Sequence, residues 1–212
     1  MVLVADDNFQ TYGKQLNQFI LLEIQTNNSI LAHLKVMILL NFTRYKRFFL
    51  KKQFRKILLE KENNRVVSQK EIKTVGILTT DEISNWVDIK EEVEKLLNLR
   101  NAKIYSFRPH KKNREVSYKH FSEIDFSWNG NISQSNFKNF IDEPFDLLIG
   151  YFSKKNWYLE NAVLRSNATF KVGISKVNQQ LYDIEIAEVP IKTDKFLLEL
   201  KKYLKILKKL KN

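Results

Sequence analysis

His33, His110 and His120 are the only histidines in this 212-residue chain, and there is no cysteine. A disulfide, a thiolate nucleophile and a cysteine-based metal site are therefore out of reach. No H-E-x-x-H pair occurs that would place two imidazoles on one zinc ion, and no G-x-S-x-G elbow presents a serine to a base. The five glycines, Gly13, Gly76, Gly130, Gly150 and Gly173, are scattered. Neither G-x-G-x-x-G nor a P-loop is present, so both standard phosphate cradles are missing. The motifs assign no catalytic residue, no metal ligand and no cofactor. Charge is what remains.

Thirty-six Lys/Arg stand against 24 Asp/Glu, a net charge of +12. Such a balance suits an acidic partner, either nucleic acid or an anionic membrane surface. The charge is clustered: residues 41–75 carry +8, 101–120 carry +5 and 191–212 carry +6, whereas 81–100 and 121–150 are net acidic, at −3 and −4. In the first cluster Arg44, Arg47, Lys51 and Arg55 recur at spacings of three and four, which puts them on one helix face. In the second, Arg108, Lys111, Lys112 and Arg114 surround His110 in a loop long enough to be functional. These eight residues are the candidate anion or nucleic-acid contacts. The lysines of the third cluster, Lys195, Lys201, Lys202, Lys205, Lys208 and Lys209, read as the solvated outer face of a closing helix.

Elements must position these groups. Residues 41–62 read as an amphipathic helix with Phe42, Tyr45, Phe49, Ile57 and Leu58 near its apolar stripe. Residues 72–80 make a core strand, followed by a helix that Thr80 and Asp81 cap. Lys103 to Phe107 is a second strand. In 121–143, Phe121, Phe126 and Trp128 cluster around the turn at Asn129-Gly130-Asn131, and Ser133 or Ser135 caps a short helix through Phe137, Phe140 and Ile141. Residues 144–175 then read as strand, crossover helix and strand, a βαβ unit of the expected length. Leu181 to Val189 is an edge strand that Pro190 ends. The helix Thr193 to Leu210 buries Phe196, Leu197, Leu200, Leu204, Leu207 and Leu210.

The architecture expected is α/β: a three-layer Rossmann-like domain over 67–212, with a mainly parallel sheet of about five strands. A basic amphipathic helix over 37–66 precedes it. Residues 1–36 form an extension too interrupted by Glu23, Asn27, Asn28, His33 and Lys35 to cross a bilayer, and Met37 is an alternative start. Open α/β sheets bind ligands outside the carboxyl ends of their strands. That rule nominates Thr79, Thr80 and Asp81 after the first strand, Ser106 and Arg108 after the second, Tyr151 after the third and Ser175 after the fourth. Thr80, Asp81, Arg108, Tyr151 and Ser175 are the candidate ligand pocket.

Two resemblances follow from these stretches. The strand VGIL at 75–78, FSEIDFSWNG at 121–130, PFDLLIGYF at 144–152, FKVGIS at 170–175 and YLKIL at 203–207 resemble an uncharacterised bacterial domain-of-unknown-function family, from about Met37 to the C-terminus. FDLLIGYF with its following helix and NATFKVGIS is similar to the N-terminal half of heptosyltransferase-type glycosyltransferases, which implies a nucleotide- or phosphosugar-binding enzyme. Here Tyr151, Phe152 and Ser153 stand where that family has an acid, and no nucleotide-sugar-binding half is present. The leading expectation is a non-catalytic cytoplasmic binding protein with RNA or a ribonucleoprotein as partner. The alternatives are the nucleotide or phosphosugar enzyme and a peripheral membrane protein.

Overall fold

The computed structural model describes residues 48–60, 70–111, 117–127, 130–175, 177–188 and 192–210, and the architecture below is that of the compact unit 49–212. Its centre is a six-stranded parallel sheet in the order β3-β2-β1-β4-β5-β6. The strands are β1 (Val75–Thr80), β2 (Lys103–Phe107), β3 (His120–Phe121), β4 (Leu147–Tyr151), β5 (Lys171–Ile174) and β6 (Ile184–Ile186). All five residues of β4 and all four of β5 are buried. That is why β4 runs apolar throughout rather than alternating, since a parallel sheet is covered on both faces; β5 carries one charge, the buried Lys171, whose Nζ donates to Ser166 O at 2.9 Å. The strand beyond the expected five is β3, whose two residues at the sheet edge are too short for any periodicity to reveal.

Six α-helices, α1 (residues 48–60), α2 (Asp81–Ser84), α3 (Ile89–Leu97), α4 (Ser135–Asp142), α5 (Trp157–Arg165) and α6 (Thr193–Ile206), lie among the described residues. Ile89, Val93 and Leu97 of α3 join Phe196, Leu200 and Leu204 of α6 on one face of the sheet, over Ile77, Ile149 and Val172. On the other face Phe54 and Leu58 of α1, Phe137 and Phe140 of α4, and Leu159 and Val163 of α5 cover Leu78, Leu148 and Phe152. The two layers follow from handedness. The crossovers β1 to β2 and β4 to β5 leave the central pair in opposite directions, and right-handed connections then place their helices on opposite faces.

Three elements depart from their sequence reading. In α1 the buried stripe is Leu50, Phe54 and Leu58, whereas Phe49 and Ile57 are half-buried. Phe42 and Tyr45 lie outside the described residues. The lysine face of the last helix also needs correcting at its end. Helix α6 stops at Ile206, and Lys208 takes a left-handed φ of 53°. Lys209 N–H then donates to Leu204 O at 2.8 Å and Lys208 N–H to Lys205 O at 2.9 Å, a Schellman closure. The reversal carries Lys209 inward. It is 2% exposed, its Nζ lies 4.3 Å from the Phe170 ring centre, and its carbonyl accepts from Ile72 N. Burial pushes its ammonium pKa down, while Asp183 and Asp146 pull it up. Helix α4, for its part, has Gln134 as its N-cap residue, with no side-chain cap bond, so neither Ser133 nor Ser135 serves there. Trp128 is outside the described residues, but Phe121 and Phe126 do enter the core, where Phe121 stacks on Phe137 at 4.0 Å.

Gly150 and Gly173 let the Tyr182 ring lie against β4 and β5, because a Cβ at either position would run into that ring. The clash at Gly173 involves three ring atoms, and Tyr182 is itself only 4% exposed, so the ring cannot swing away. Gly173→Ala should therefore cost about 1–3 kcal/mol, in the range for overpacking a filled core. Urea unfolding measures it, and most of that cost should vanish in a Tyr182→Ala background, where the two sites are coupled.

Candidate functional site at the carboxyl edge of the sheet

The doubly wound order creates a switch point where the chain leaves β1 and β4 in opposite directions, and ligands of such sheets bind there. Here the point is closed by its own residues. Thr79 Oγ1 donates to Tyr151 O at 2.8 Å, within the buried core. Thr80 caps α2, its hydroxyl accepting from Ile83 N at 3.3 Å, and Asp81 and Glu82 occupy the first turn. A phosphate needs open N–H groups and no adjacent carboxylates. This turn offers neither.

Beside it, a chain of polar groups ties α2 to the sheet edge. His120 Nε2 lies 3.0 Å from Asp81 Oδ1, and His120 Nδ1 lies 2.7 Å from Ser117 Oγ. Ser106 Oγ donates to Ser84 Oγ at 3.1 Å, and Gln134 Nε2 donates to His120 O at 3.2 Å. Asp81, read in sequence as a cap, is thus an anchor for the imidazole of β3. Its distance of 39 positions from His120 left no local signal. A cleft of about 110 Å³, lined by Arg108, His110, Lys111, Ser117, His120 and Ser122, opens next to this clasp. It is too small for a nucleoside, and the Asp125 carboxylate shares its lining with these cations. Glu123 holds the loop in place by accepting from His110 N at 3.2 Å.

The two segments that this polar chain joins each carry a large exposed aromatic, Trp86 at 79% just past α2 and Tyr118 at 75% just before β3. Trp86 follows α2 directly, its N–H bonded to Ile83 O. Tyr118 adjoins Ser117, and the Ser117–His120–Asp81 chain links it to α2. Of the candidate anion contacts, Arg108 is half-buried at this corner and Lys111 is exposed there. Lys51 and Arg55 are exposed on α1, with Lys51 Nζ 6.0 Å from the Trp157 ring centre. Arg44, Arg47, Lys112 and Arg114 lie outside the described residues. Of the candidate pocket, Thr80, Asp81 and Arg108 gather at this corner, whereas Tyr151 and Ser175 do not join them. Tyr151 is fully buried under α6, edge-on to Phe196, and its hydroxyl donates to Thr193 Oγ1 at 3.0 Å. Ser175 is half-buried and spends its N–H on Ile186 O.

Sequence reasoning missed a second opening, at the ends of β4 and β5. Lys155, Trp157, Glu160, Asn178 and Gln180 line a cavity of about 760 Å³. Glu160 is only 5% exposed, and its carboxylate accepts from Asn178 Nδ2 at a long 3.4 Å. Burial pushes its carboxyl pKa up, against the opposing pull of Asn178, Lys155 and the Asn156 backbone. Among the described residues no group of three His, Asp or Glu is placed to hold a metal ion, and no helix is long and apolar enough to cross a membrane.

The raised carboxyl pKa fixes a sign. The folded state holds the Glu160 proton to higher pH than the unfolded state does, so folding weakens as pH rises through that window. The charged form is the burden, and the amide of Glu160→Gln removes it. At neutral pH this variant should be at least as stable as the parent. Its advantage should shrink as pH falls toward about 4, the ordinary carboxyl range, which denaturant unfolding at a series of pH values measures.

No curated protein matches the chain, and no solved structure does. The likeness to heptosyltransferase-type enzymes thus gains no support from a named relative. Residues 46–207, which hold the whole sheet and both helix layers, match a family of unknown function, and the chain belongs to that family, DUF6913.

Proposed function

We propose that this protein is a non-catalytic binding protein for RNA, free or in a ribonucleoprotein, and that it holds the strand at the corner over β1, β2 and β3. The observation that carries the reading is the exposure of Trp86 and Tyr118, at 79% and 75%, on the two segments that the Asp81–His120–Ser117 chain ties together, with Ser117, next to Tyr118, sharing a cleft with Arg108, His110 and Lys111. Side chains of this size left in solvent contribute little to the core, and single-stranded nucleic acid binds where aromatic faces and cations alternate. Stacking is worth roughly 1–3 kcal/mol per base and tolerates any base. The absence of cysteine accords with a cytoplasmic setting.

The rivals have less in their favour. A dinucleotide or nucleotide-sugar would need the first βα turn, where Thr80 takes up an N–H and Asp81 and Glu82 add negative charge. A membrane surface would need an apolar face to insert, yet Leu50, Phe54 and Leu58 of α1 are committed to the core.

Fluorescence anisotropy with a labelled single-stranded RNA tests the proposal. Trp86→Ala and Tyr118→Ala should each weaken binding about tenfold, the equivalent of one stacking contact. Lys111→Ala should flatten the logarithmic salt dependence by about 0.7, one phosphate contact on a single strand. All three positions are exposed, so folding should be unaffected. Failure to retain any RNA at low salt would overturn the reading.

A further inference from the structure

The cavity at the ends of β4 and β5 lies apart from the basic corner and has a different chemistry. Its volume of about 760 Å³ is within the range of small-molecule sites, roughly 300–1,000 Å³. It also sits where an open α/β sheet puts its ligands, outside the carboxyl ends of strands next to the switch point. Glu160 lines it from the first turn of α5, 5% exposed. An ionised carboxyl group has about four acceptor positions; Asn178 at 3.4 Å and the Asn156 backbone N–H take two of them and leave the others for a ligand. Packing alone does not explain a carboxyl group here: glutamine of the same shape would fill the space without the charge.

The remaining walls indicate what completes the site. Asn178 and Gln180 bring amides, Lys155 a cation, and Trp157 a broad apolar wall braced from behind by Phe54 at 4.9 Å between ring centres. The Trp157 indole N–H is buried without a hydrogen-bond partner. A carboxyl group and amides paired with an aromatic wall match a ring that has hydroxyls on its rim and carbons on its faces. A phosphate would be repelled by Glu160, and an apolar ligand would leave the carboxyl group and amides unsatisfied.

We propose that this cavity binds a ring carrying vicinal hydroxyls, either a free sugar or the ribose of a nucleoside, with Glu160 accepting from the hydroxyl pair. Asn178 and Gln180 supply the neighbouring hydrogen bonds, and Trp157 packs against the ring. The site works independently of the basic corner, so its ligand is not the RNA strand held there.

Calorimetric titration of the full chain with ribose, glucose and adenosine as probes tests this. Heat with ribose or glucose identifies a free-sugar site, and heat with adenosine alone identifies a nucleoside site. In either case Glu160→Gln must weaken binding at least tenfold while RNA binding stays as it was. Gln180→Ala, an exposed position that threatens the fold less, must weaken it severalfold. No heat from any of the three probes at about 10 mM, beyond which binding carries little free energy, would overturn the proposal. So would binding that is indifferent to Glu160→Gln.

Discussion

The pairing of β1 with β4 is the contact on which the rest of the molecule depends. The two strands lie 72 positions apart in sequence and align Ile77 with Ile149 and Thr79 with Tyr151. Both ends of the pair are locked by side chains. Asp146 accepts from the backbone N–H groups of Lys73 and Thr74 at 3.0 Å, and Thr79 Oγ1 donates to Tyr151 O at 2.8 Å. A parallel pair in the middle of a sheet must be covered on both faces, so two helix layers become obligatory. Loops then gather at the sheet's two ends, and the carboxyl end acquires the groups with chemistry.

That end is divided by the same pair. On the β2–β3 side the Asp81–His120–Ser117 chain fixes α2 and supports the basic loop. On the β4–β5 side the turn at Asn156 starts α5, its side chain capping Tyr158 and Leu159 N–H groups, and so brings Glu160 to the cavity. Between them the switch point is filled. Two sites of unlike chemistry, one cationic and aromatic and the other a buried carboxyl group among amides, therefore flank a closed centre. The corner is exposed and so screened by salt, whereas the Glu160 carboxyl group is buried and its charge is costly.

The central strands were legible because burial on both faces makes β4 a continuous apolar run and leaves few polar breaks in its neighbours, Thr79 and Thr80 in β1 and Lys171 in β5. The helices α3, α5 and α6 were legible because their buried positions recur at helical spacing. What sequence hid was long-range or local in a way that has no period. Two residues of β3 cannot show a pattern. The His120 partnership with Asp81 joins groups that nothing in the chain marks as neighbours. Lys209 looked like its solvated neighbours until a left-handed Lys208 turned it inward. The candidate pocket was half legible: the strand-end rule brought Thr80, Asp81 and Arg108 together. It failed at Tyr151, because alternation along β4 turns that side chain under α6. Glu160 was missed because a glutamate inside a helix looks solvated until the packing around it is known.

The central claim is that one corner of the sheet, and not the sum of the positive charge, meets the RNA. Ultraviolet crosslinking of the full chain to single-stranded RNA, read out by mass spectrometry of the peptides, tests that claim most directly. The account predicts crosslinks at Trp86 and Tyr118 and in the peptide that carries Arg108 to Lys111. Crosslinks confined to the exposed lysines of α6, or none at the two aromatics, would contradict it.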